Sequence, residues 1–576
     1  MSDMQPSTLR TVRLLSAGLV ASGFLYSVAS AADWFEDVTE SVGVEFTYDP
    51  GIGGEFYFPE IMGGGVALFD YNNNGLLDIY LVQAGEIGEG IGPQLRTRSD
   101  RLFRNDSTQN ENGEWVLRFT DVTEQAGIDA RGYGMGVAVG DYSKNGYPDI
   151  YLLNFDANQL WRNNGDGSFT DVTEQAGVGE SRWSVSASFA DLDGNGHLDL
   201  VVANYVDFSI EGHRACHAAG SGRRDYCSPS AYNGISDTLY RNLGDGRFED
   251  VSEQSGLAAA PGHALGVVVA DFNDNGRPDI YVANDGSPNF FWINQGDWRF
   301  EDDAFLAGNA VNADGAAEAG MGVDAADYNR SGREDIFVTH LKRETNTLYR
   351  NDGQGWFSDV TSVSGLGSPS LAYTGFGTAW LDIENNGWLD IIAVNGAVTE
   401  EESLAEAGDA FPYHQTNQIF HNQQGERFVE ASERGGKAFK ASHVSRGAAF
   451  GDINNNGRVD LVVANINGPA RILINQAEPD HHWLGLRLLT GEPSRDALGA
   501  VVWLLDEHGE REQQRRSRSD GSYASANDPR VLFGLASDGD ARSIRVRWPD
   551  GSLERFNELQ SDQYHTIRQG SGESSE

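Results

Sequence analysis

The chain has 576 residues, of which 42 are Lys or Arg and 86 are Asp or Glu, giving a formal net charge of −44 at pH 7. Hydrophobic residues make up 39% of the chain and aromatic residues 10%, which excludes wholesale disorder. The acidity argues against nucleic acid as a partner, because phosphate binding needs clustered Lys and Arg. The 70 glycines follow no collagen-like period and predict many tight turns between short strands.

The N-terminal residues 1–31 have the pattern of a secretory signal peptide. Arg10 and Arg13 supply a positive region, residues 14–28 are apolar, and Ala29-Ser30-Ala31 matches a small-x-small cleavage site. An uncleaved membrane anchor is the alternative, for which the apolar stretch is short. We expect a secreted, periplasmic or cell-surface protein whose mature chain begins near Ala32 and has no transmembrane segment.

One pattern returns seven times: a Gly/Ala-rich apolar stretch, then D-x-[NDSE]-x-[NS]-G-x-x-D, then a β-branched apolar run. We call these segments Asp loops 1 to 7; they begin at Asp70, Asp141, Asp191, Asp271, Asp327, Asp382 and Asp452. A second pattern alternates with the first and reads R-N, a G-D-G type of turn, and F-x-D-V-[TS], with clear copies from Leu160, Leu239 and Leu348. The strand-length runs predict about four antiparallel strands in each repeat. Such repeats arranged radially form a β-propeller.

The half-repeats at the two ends of the array complement each other. Asp loop 7 is followed by residues 471–475 but by no F-x-D-V-T segment, and the missing half stands alone at residues 35–39. An N-terminal strand that completes the last blade would remove the exposed sheet edges. The sequence therefore predicts an all-β protein with a seven-bladed propeller over residues 32–478. An eight-bladed ring or two smaller propellers are the alternatives. Residues 479–570 predict a small all-β domain, and residues 571–576 a tail.

The Asp loops have the composition of a calcium site. Side-chain oxygens at positions 1, 3, 5 and 9, with one backbone carbonyl, can converge on a hard cation, and Ca2+ is the expected ion outside the cell. Loop 3 has three carboxylates and should bind most tightly, with loop 6 comparable and loops 2 and 5 weakest. An EF-hand is excluded because position 12 lies inside a predicted strand. The alternative is that the loops are Asx-turns that hold hairpins without a metal. The predicted ligands are Asp70, Asn72, Asn74, Asp78; Asp141, Ser143, Asn145, Asp149; Asp191, Asp193, Asn195, Asp199; Asp271, Asn273, Asn275, Asp279; Asp327, Asn329, Ser331, Asp335; Asp382, Glu384, Asn386, Asp390; and Asp452, Asn454, Asn456, Asp460.

The chain has two cysteines, Cys216 and Cys227, both in the part predicted to be exported. In an oxidising compartment such a pair most simply forms one disulfide. The alternative is a thiolate metal site with His213 and His217, although the spacing matches no familiar zinc pattern.

The repeats resemble the FG-GAP/VCBS repeats of integrin-like propellers, a resemblance that implies Ca2+ in the hairpin between the first two strands of a blade. The last 90 or so residues resemble an ASPIC/UnbV domain. This second resemblance rests on His482-Trp483-Leu484, Ser494-Arg495-Asp496, Gly521-Ser522-Tyr523, Phe533-Gly534-Leu535 and the stretch 546–551. The whole arrangement resembles the bacterial relatives of cartilage acidic protein, and it implies an exported Ca2+-binding propeller without an agreed reaction.

Two classes of function follow. The first is a binding or adhesion module for an extracellular or envelope protein or glycan, with the ligand on the long insertions 83–100, 205–237 and 396–416. The second is an enzyme with its site at the mouth of the propeller channel. We name no catalytic residue, because no nucleophile elbow, zinc-binding H-E-x-x-H or phosphate loop is evident. The side chains expected at the rim, just before the inner strands, are Glu60, Tyr133, Arg182, Trp183, His263, Glu318, Tyr373 and His443.

Overall fold

The computed structural model describes residues 33–92, 95–113, 115–218, 220–477 and 481–575, so the predicted signal peptide lies outside the described residues. Strands dominate and confirm the predicted all-β class. The described α-helices are short: Thr173–Ala176, Ser252–Ser255, Ala304–Ala307, Thr361–Ser364, Gly367–Ser370, Glu402–Glu406 and Gly436–Lys440. Described 3-10 turns are Phe58–Ile61, Pro229–Ala231, Leu257–Ala259 and Ser432–Gly435. No helix within these residues is long and apolar enough to cross a membrane.

The repeats form seven four-stranded antiparallel sheets, which we number 1 to 7 in the order of their Asp loops. Their first strands are Val66–Phe69, Gly134–Gly140, Ser184–Ala190, Ala264–Ala270, Val323–Ala326, Gly375–Leu381 and Ser445–Gly451. The second strands are Asp78–Leu81, Asp149–Asn154, Asp199–Asn204, Asp279–Asn284, Asp335–Val338, Asp390–Asn395 and Asp460–Asn465. The third strands are Arg101–Asn105, Gln159–Asn163, Thr238–Asn242, Phe290–Asn294, Thr347–Gly353, Gln418–Asn422 and Arg471–Asn475. The fourth strands are Phe119–Asp121, Phe169–Asp171, Phe248–Asp250, Phe300–Asp302, Trp356–Asp359, Phe428–Glu430 and, for sheet 7, Phe35–Asp37.

The first strands of consecutive sheets pack against one another, and the first strand of sheet 7 packs against that of sheet 1. This arrangement is consistent with a β-propeller. Each first strand is joined to the second by an Asp loop, so all seven loops lie at the same end of the first strands.

The N-terminal strand Phe35–Asp37 pairs antiparallel with the third strand of sheet 7, with Phe35 opposite Asn475 and Asp37 opposite Leu473. Trp34 and Phe35 are buried. The N-terminal strand thus lies in the last repeat, as the half-repeat pattern predicts.

The Asn of the R-N pattern links neighbouring sheets. In sheet 2, the side-chain N–H of Asn163 donates to the carbonyl of Tyr71 in Asp loop 1, at 2.8 Å. In sheet 1, Asn105 donates to the carbonyl of Ile453 in Asp loop 7, at 3.3 Å. The other sheets repeat the bond through Asn242, Asn294, Asn351, Asn422 and Asn475. One side-chain type at one position thus ties each sheet to the one before it.

Two of the long insertions, residues 205–237 and 396–416, pack together at the end of the sheets opposite the Asp loops; we call them the cap. The Arg223 guanidinium pairs with Glu400 at 2.9 Å, and the buried Asp225 accepts hydrogen bonds from the Tyr413 hydroxyl and the Glu400 backbone N–H. The predicted disulfide Cys216–Cys227 is present, which confirms that expectation. Three pairs of short strands include residues of these insertions: Cys216–His217 with Arg224–Asp225, Ile235–Ser236 with Pro261–Gly262, and Gln415–Thr416 with Ser442–His443. Two further short pairs lie elsewhere in the chain: Thr47–Tyr48 with Gly468–Pro469, and Thr108–Gln109 with Trp115–Val116.

Residues 481–575 form a two-sheet β module, here called the C-terminal module, with its own apolar core. One sheet contains His482–Thr490, Arg495–Asp496, Val531–Ala536 and Tyr564–Arg568; the other contains Val501–Leu505, Arg511–Arg516, Arg542–Arg547, Leu553–Leu559 and Glu573–Ser574. Part of the expected tail is therefore an edge strand. The Glu554 carboxylate accepts the backbone N–H groups of Gly570 and Gly572 and so fixes the turn that leads into this strand.

A loop of the C-terminal module, residues 517–528, bonds to the first strands of several sheets; we call it the plug loop. Its Tyr523 is fully buried, and the Tyr523 hydroxyl donates to the Met62 carbonyl at 2.6 Å. Leu68 and Val137 donate backbone N–H groups to carbonyls of the plug loop at 3.0 and 3.1 Å. The Gly/Ala-rich first strands permit this approach: a Cβ added at Gly65 would lie 2.4 Å from the Ala524 carbonyl oxygen.

Candidate functional site

Asp loop 3 shows how the D-x-D-x-N-G-x-x-D pattern folds locally. The Asp191 carboxylate accepts the backbone N–H of Asn195 at 3.1 Å and that of Gly196 at 2.8 Å. The Asp193 carboxylate also accepts the Asn195 N–H, at 3.1 Å. Asp199, which begins the second strand, accepts the backbone N–H groups of Leu192 and Asn242. These bonds curl the backbone around its own side-chain oxygens, and Gly196 has a φ of +78° that permits the turn.

Three carboxylates converge in this loop. One oxygen from each of Asp191, Asp193 and Asp199 lies within 4.8 Å of the others, and within the described ranges this is the single acidic or His/Cys group that meets this distance. Burial raises the pKa of Asp199 to about 8, and it also raises the pKa of Asp191. A bound divalent cation would favour the ionised form of these groups. All-oxygen donors of this kind fit a hard cation such as Ca2+.

The other Asp loops repeat the backbone pattern, and all of them except loop 6 have fewer carboxylates at the predicted ligand positions. In each, the leading Asp accepts N–H groups from positions 5 and 6, as Asp141 does from Asn145 and Gly146. These are Asx-turns, which hold a hairpin with or without an ion. In loop 6 the third-position Glu384 pairs instead with Arg434 at 3.0 Å. The Glu384 carboxylate is therefore engaged outside its loop. This contact argues against the expectation that loop 6 binds Ca2+ about as tightly as loop 3.

The C-terminal module covers the Asp-loop end of the sheets with basic and hydroxyl groups. Arg487 lies 3.3 Å from the Asp70 carboxylate, and Arg547 lies 3.1 Å from the Asp271 carboxylate. The Tyr564 hydroxyl donates to the Asp452 carboxylate at 2.9 Å. Loops 1, 4 and 7 therefore share their leading carboxylates with the module, whereas within the described part of the chain the hydrogen bonds of Asp191 stay inside loop 3.

The residues expected at the channel rim divide by exposure. Glu60, Tyr133, Trp183 and Glu318 are buried. Trp183 packs edge-on against Phe58 and Tyr205, with ring centroids 5.3 and 5.0 Å apart. Arg182 is exposed, and His263, Tyr373 and His443 are partly exposed. Burial lowers the pKa of His443 to about 4, which keeps this ring neutral at pH 7. The structure therefore does not bring these side chains together as one open surface.

Glu60 is a buried acid among aromatic residues. Its Oε2 accepts the Tyr226 hydroxyl at 3.0 Å, and its Oε1 has no hydrogen-bond partner among the described residues. Burial raises the pKa of Glu60 from the usual 4.5 to about 7. Between these values the folded state keeps a proton that the unfolded state releases, so stability falls as pH rises through this window.

We expect Glu60→Gln to remove this part of the pH dependence. The unfolding free energy of the variant, relative to that of wild type, should rise by about 2 kcal/mol between pH 5.5 and pH 8. Urea unfolding at the two pH values measures the gain, and the exposed Glu124→Gln is the control. An equal pH response of wild type and Glu60→Gln would contradict a buried protonated Glu60.

Sequence reasoning missed three features of this region: the plug loop, the arginines over the Asp loops, and the cross-sheet role of the R-N asparagines. The asparagine recurs at the same position of each repeat, but the carbonyl to which it donates belongs to another repeat, so the sequence pattern does not reveal the bond. The polar plug loop, which contains D-G-S-Y-A-S-A-N-D, has the composition of a surface turn.

Comparisons with known proteins agree with the repeat pattern. The family model described as "FG-GAP-like repeat" matches residues 141–202, 219–282, 271–338 and 327–393. The model described as "ASPIC and UnbV" matches residues 490–574. The chain thus contains both kinds of unit.

Curated relatives named cartilage acidic protein 1 match the chain. The human protein is 26% identical over 315 residues, which cover 53% of this chain and 44% of that protein. The Xenopus tropicalis protein is 24% identical over 503 residues, which cover 85% of this chain and 61% of that protein. The chain therefore spans about half the length of the curated relatives it matches. Among solved structures, an Agrocybe aegerita lectin described as recognising non-reducing terminal N-acetylglucosamine aligns with a TM-score of 0.37. That lectin is 16% identical, and the alignment covers 71% of this chain and 86% of the lectin. The score is too low to support an argument about fold or ligand.

Proposed function

We propose that this chain, which carries FG-GAP-like repeats and an ASPIC and UnbV domain, is an exported calcium-binding protein that acts as a binding or adhesion module for a protein or glycan. Its scaffold is a seven-bladed propeller over residues 32–478, closed by the N-terminal strand, with a second β domain over 479–570. The convergence of Asp191, Asp193 and Asp199 carries the calcium assignment.

The charge distribution supports Ca2+ as a structural ion. The formal charge is −44, and the seven loops concentrate carboxylates at one end of the sheets. Seven divalent ions would neutralise fourteen of these charges and reduce self-repulsion. Loop 3 offers three carboxylates, and its described arginine bond, from Arg495 to the Gly196 carbonyl at 3.1 Å, involves none of them, so we rank it as the tightest site. We expect a lower Ca2+ affinity in loops 1, 4 and 7, because their leading carboxylates already contact the C-terminal module.

We expect Ca2+ to raise the thermal stability of the mature protein and expect the effect to depend on loop 3. Ions that bind only the folded state add about 1.4 kcal/mol per site when millimolar Ca2+ meets sites of about 10⁻⁴ M. Thermal melts in EDTA and in millimolar Ca2+ measure this shift. In calorimetric titration, Asp191→Ala should remove the tightest binding phase.

Asp141→Ala is the matched control. It breaks the same Asx-turn hydrogen bonds, to Asn145 and Gly146, but in a loop with fewer carboxylates. The tightest phase should survive in this variant. If the two variants lose equal stability, and neither melt responds to Ca2+, then the aspartates hold hairpins without an ion.

The cap supports the binding part of the proposal. It is fixed by the disulfide, by the Arg223–Glu400 pair and by buried bonds to Asp225, so its exposed side chains sit on a rigid base. Arg214 and His217 are exposed there, and the Arg214 guanidinium lies 5.5 Å from the centre of the Tyr232 ring. Rigid loops with exposed cationic groups are suited to recognition. The enzyme alternative gains no comparable support, because Glu60, Tyr133 and Trp183 are buried beneath aromatic packing.

We expect labelled mature protein to bind members of a glycan and extracellular-protein array, and expect Arg214→Ala to weaken that binding. The matched control is Arg247→Ala, which removes an exposed arginine from the turn between the third and fourth strands of sheet 3, at the opposite end of that sheet from the cap. Binding that is equal for both variants, or absent from the array altogether, would contradict recognition through the cap.

A further inference from the structure

A groove of about 840 Å³ lies between sheets 2 and 3. One side is formed by residues of the segment 171–180, which follows the last strand of sheet 2 and includes the helix Thr173–Ala176. The other side is formed by Tyr240 and Asp250, from the third and fourth strands of sheet 3. The described lining includes no cap residue and no predicted calcium ligand, so the groove is separate from both parts of the proposed function.

The groove is strongly acidic. Its described lining contains no Lys, Arg or His and four carboxylates, those of Asp171, Glu174, Glu180 and Asp250. One guanidinium adjoins the lining: that of Arg182, which lies 3.4 Å from the Glu180 carboxylate and donates to the Ser236 carbonyl at 3.0 Å. The other three carboxylates have no cation within 4.0 Å among the described residues. The groove therefore has a negative charge that the protein itself does not compensate.

A second copy of the same sequence elsewhere in the chain differs in this respect. The heptapeptide D-V-T-E-Q-A-G occurs at residues 121–127 and again at residues 171–177. In the first copy, the Asp121 carboxylate lies 3.4 Å from the Arg101 guanidinium. In the second copy, the equivalent Asp171 has no such partner within the described residues. Because the two heptapeptides are identical, the difference arises from the sheets around them, and the first copy provides a matched control for the second.

The Tyr240 hydroxyl is a second and independent indication of a ligand. The Tyr240 side chain is only 4% exposed and lines the groove, and its hydroxyl makes no hydrogen bond within the described residues. Burial and the nearby carboxylates of Glu180 and Asp250 raise the pKa of Tyr240, against a smaller opposing effect of Arg182. The hydroxyl is therefore neutral, and its oxygen can accept an N–H group. Since a buried polar group without a partner is costly, a donor bound in the groove would relieve that cost.

The spacing of the acids favours an organic cation over a metal ion. Within the described residues, the aspartates of loop 3 are the single group in which three acidic oxygens lie within 4.8 Å of one another, so the groove carboxylates do not form a chelating cluster. A Lys or Arg side chain instead extends its apolar stem along a surface and presents several N–H donors to separated acceptors. Ala157 and Val172 supply apolar lining for such a stem.

We propose that this groove binds a basic segment of a partner polypeptide, with one Lys or Arg side chain directed at the Tyr240 hydroxyl and the surrounding carboxylates. The volume is near the upper end of the usual range of about 300–1,000 Å³ for ligand sites, which suits a peptide segment better than a small amine. The formal charge of −44 would attract a basic partner from a distance, and the groove would fix where it docks.

The probes are a dye-labelled peptide of alternating glycine and arginine and its counterpart with neutral citrulline at each arginine. Fluorescence anisotropy with the full mature chain, at physiological ionic strength in millimolar Ca2+, measures their affinities. We expect saturable binding of the arginine peptide and none of the citrulline peptide. Glu174→Gln should weaken binding about threefold and Tyr240→Phe about fivefold. Ala157→Trp, which places a large ring at an exposed position of the lining, should abolish binding with the charge intact.

Glu124→Gln is the matched control, because it removes the same exposed side chain from the identical heptapeptide outside the groove lining and changes the net charge equally. It should bind the arginine peptide as wild type does. The proposal is overturned if wild type binds both peptides equally or neither, if Glu124→Gln weakens binding as much as Glu174→Gln, or if Tyr240→Phe or Ala157→Trp binds like wild type. A thermal melt of each variant separates loss of the site from loss of the fold. Arg214→Ala, which tests the cap, should leave peptide binding unchanged, so the two proposals can fail separately.

Discussion

Removing the N-terminal strand should destabilise the whole set of sheets rather than one edge. Deletion of residues 34–39 takes away the fourth strand of sheet 7, including the buried Trp34 and Phe35. It also removes Thr39, whose hydroxyl accepts the backbone N–H of Ile472 at 2.9 Å. We expect the deletion variant either to remain unfolded or to melt far below the mature chain, because it exposes an unpaired edge and an apolar surface.

Point substitutions in the N-terminal strand test its contribution to stability with a smaller change to the chain. Phe35→Ala should lower the unfolding free energy by about 3–5 kcal/mol, the usual cost of truncating a buried aromatic ring. Glu36→Ala changes the exposed neighbour on the same strand and should be nearly neutral. Urea unfolding followed by tryptophan fluorescence measures both. If the deletion variant melts like the mature chain, the N-terminal strand does not close the ring.

The strands could be predicted from the sequence because each repeat carries its own turn chemistry. The leading Asp of every loop accepts N–H groups from the next few residues, as Asp191 does from Asn195 and Gly196, so that signal is local. The half-repeat at Phe35–Asp37 could be found because the last repeat lacks its fourth-strand pattern and one unmatched copy of that pattern occurs near the N-terminus. Such predictions need no knowledge of how repeats pack.

Features that depend on distant chain segments could not be predicted. The rim residues were expected from their positions before the first strands, on the assumption that all repeats are equivalent. The cap breaks that equivalence: Glu60 bonds to Tyr226, 166 residues along the chain. Likewise, the leading carboxylates of loops 1, 4 and 7 were assigned as metal ligands, without any sign that Arg487, Arg547 and Tyr564 would contact them. Nothing local in residues 517–528 indicates that they will bond to the first strands of several sheets.

The plug loop gives the second large expected effect, because it couples the C-terminal module to the sheets. Tyr523 contacts the Phe376 ring, with centroids 4.8 Å apart, and donates to the Met62 carbonyl. The buried Asp520 carboxylate accepts the Ser188 hydroxyl and the Val269 backbone N–H, both at 2.9 Å. Because the loop bonds to several sheets at once, withdrawing it would leave buried polar groups without partners across the centre of the protein.

We expect Tyr523→Ala to lower the unfolding free energy by about 3–5 kcal/mol, since it leaves a cavity where no side chain can collapse without moving a sheet. Tyr523→Phe is the matched control: it keeps the ring against Phe376 and loses only the bond to Met62, at a cost of about 1–3 kcal/mol. Replacing residues 519–527 with a Gly/Ser linker of equal length should go further and separate one cooperative transition into two, one for the sheets and one for the module. Calorimetry and urea unfolding measure these effects. A single unchanged transition in the linker variant, with Tyr523→Ala as stable as Tyr523→Phe, would mean that the loop occupies the channel without stabilising it.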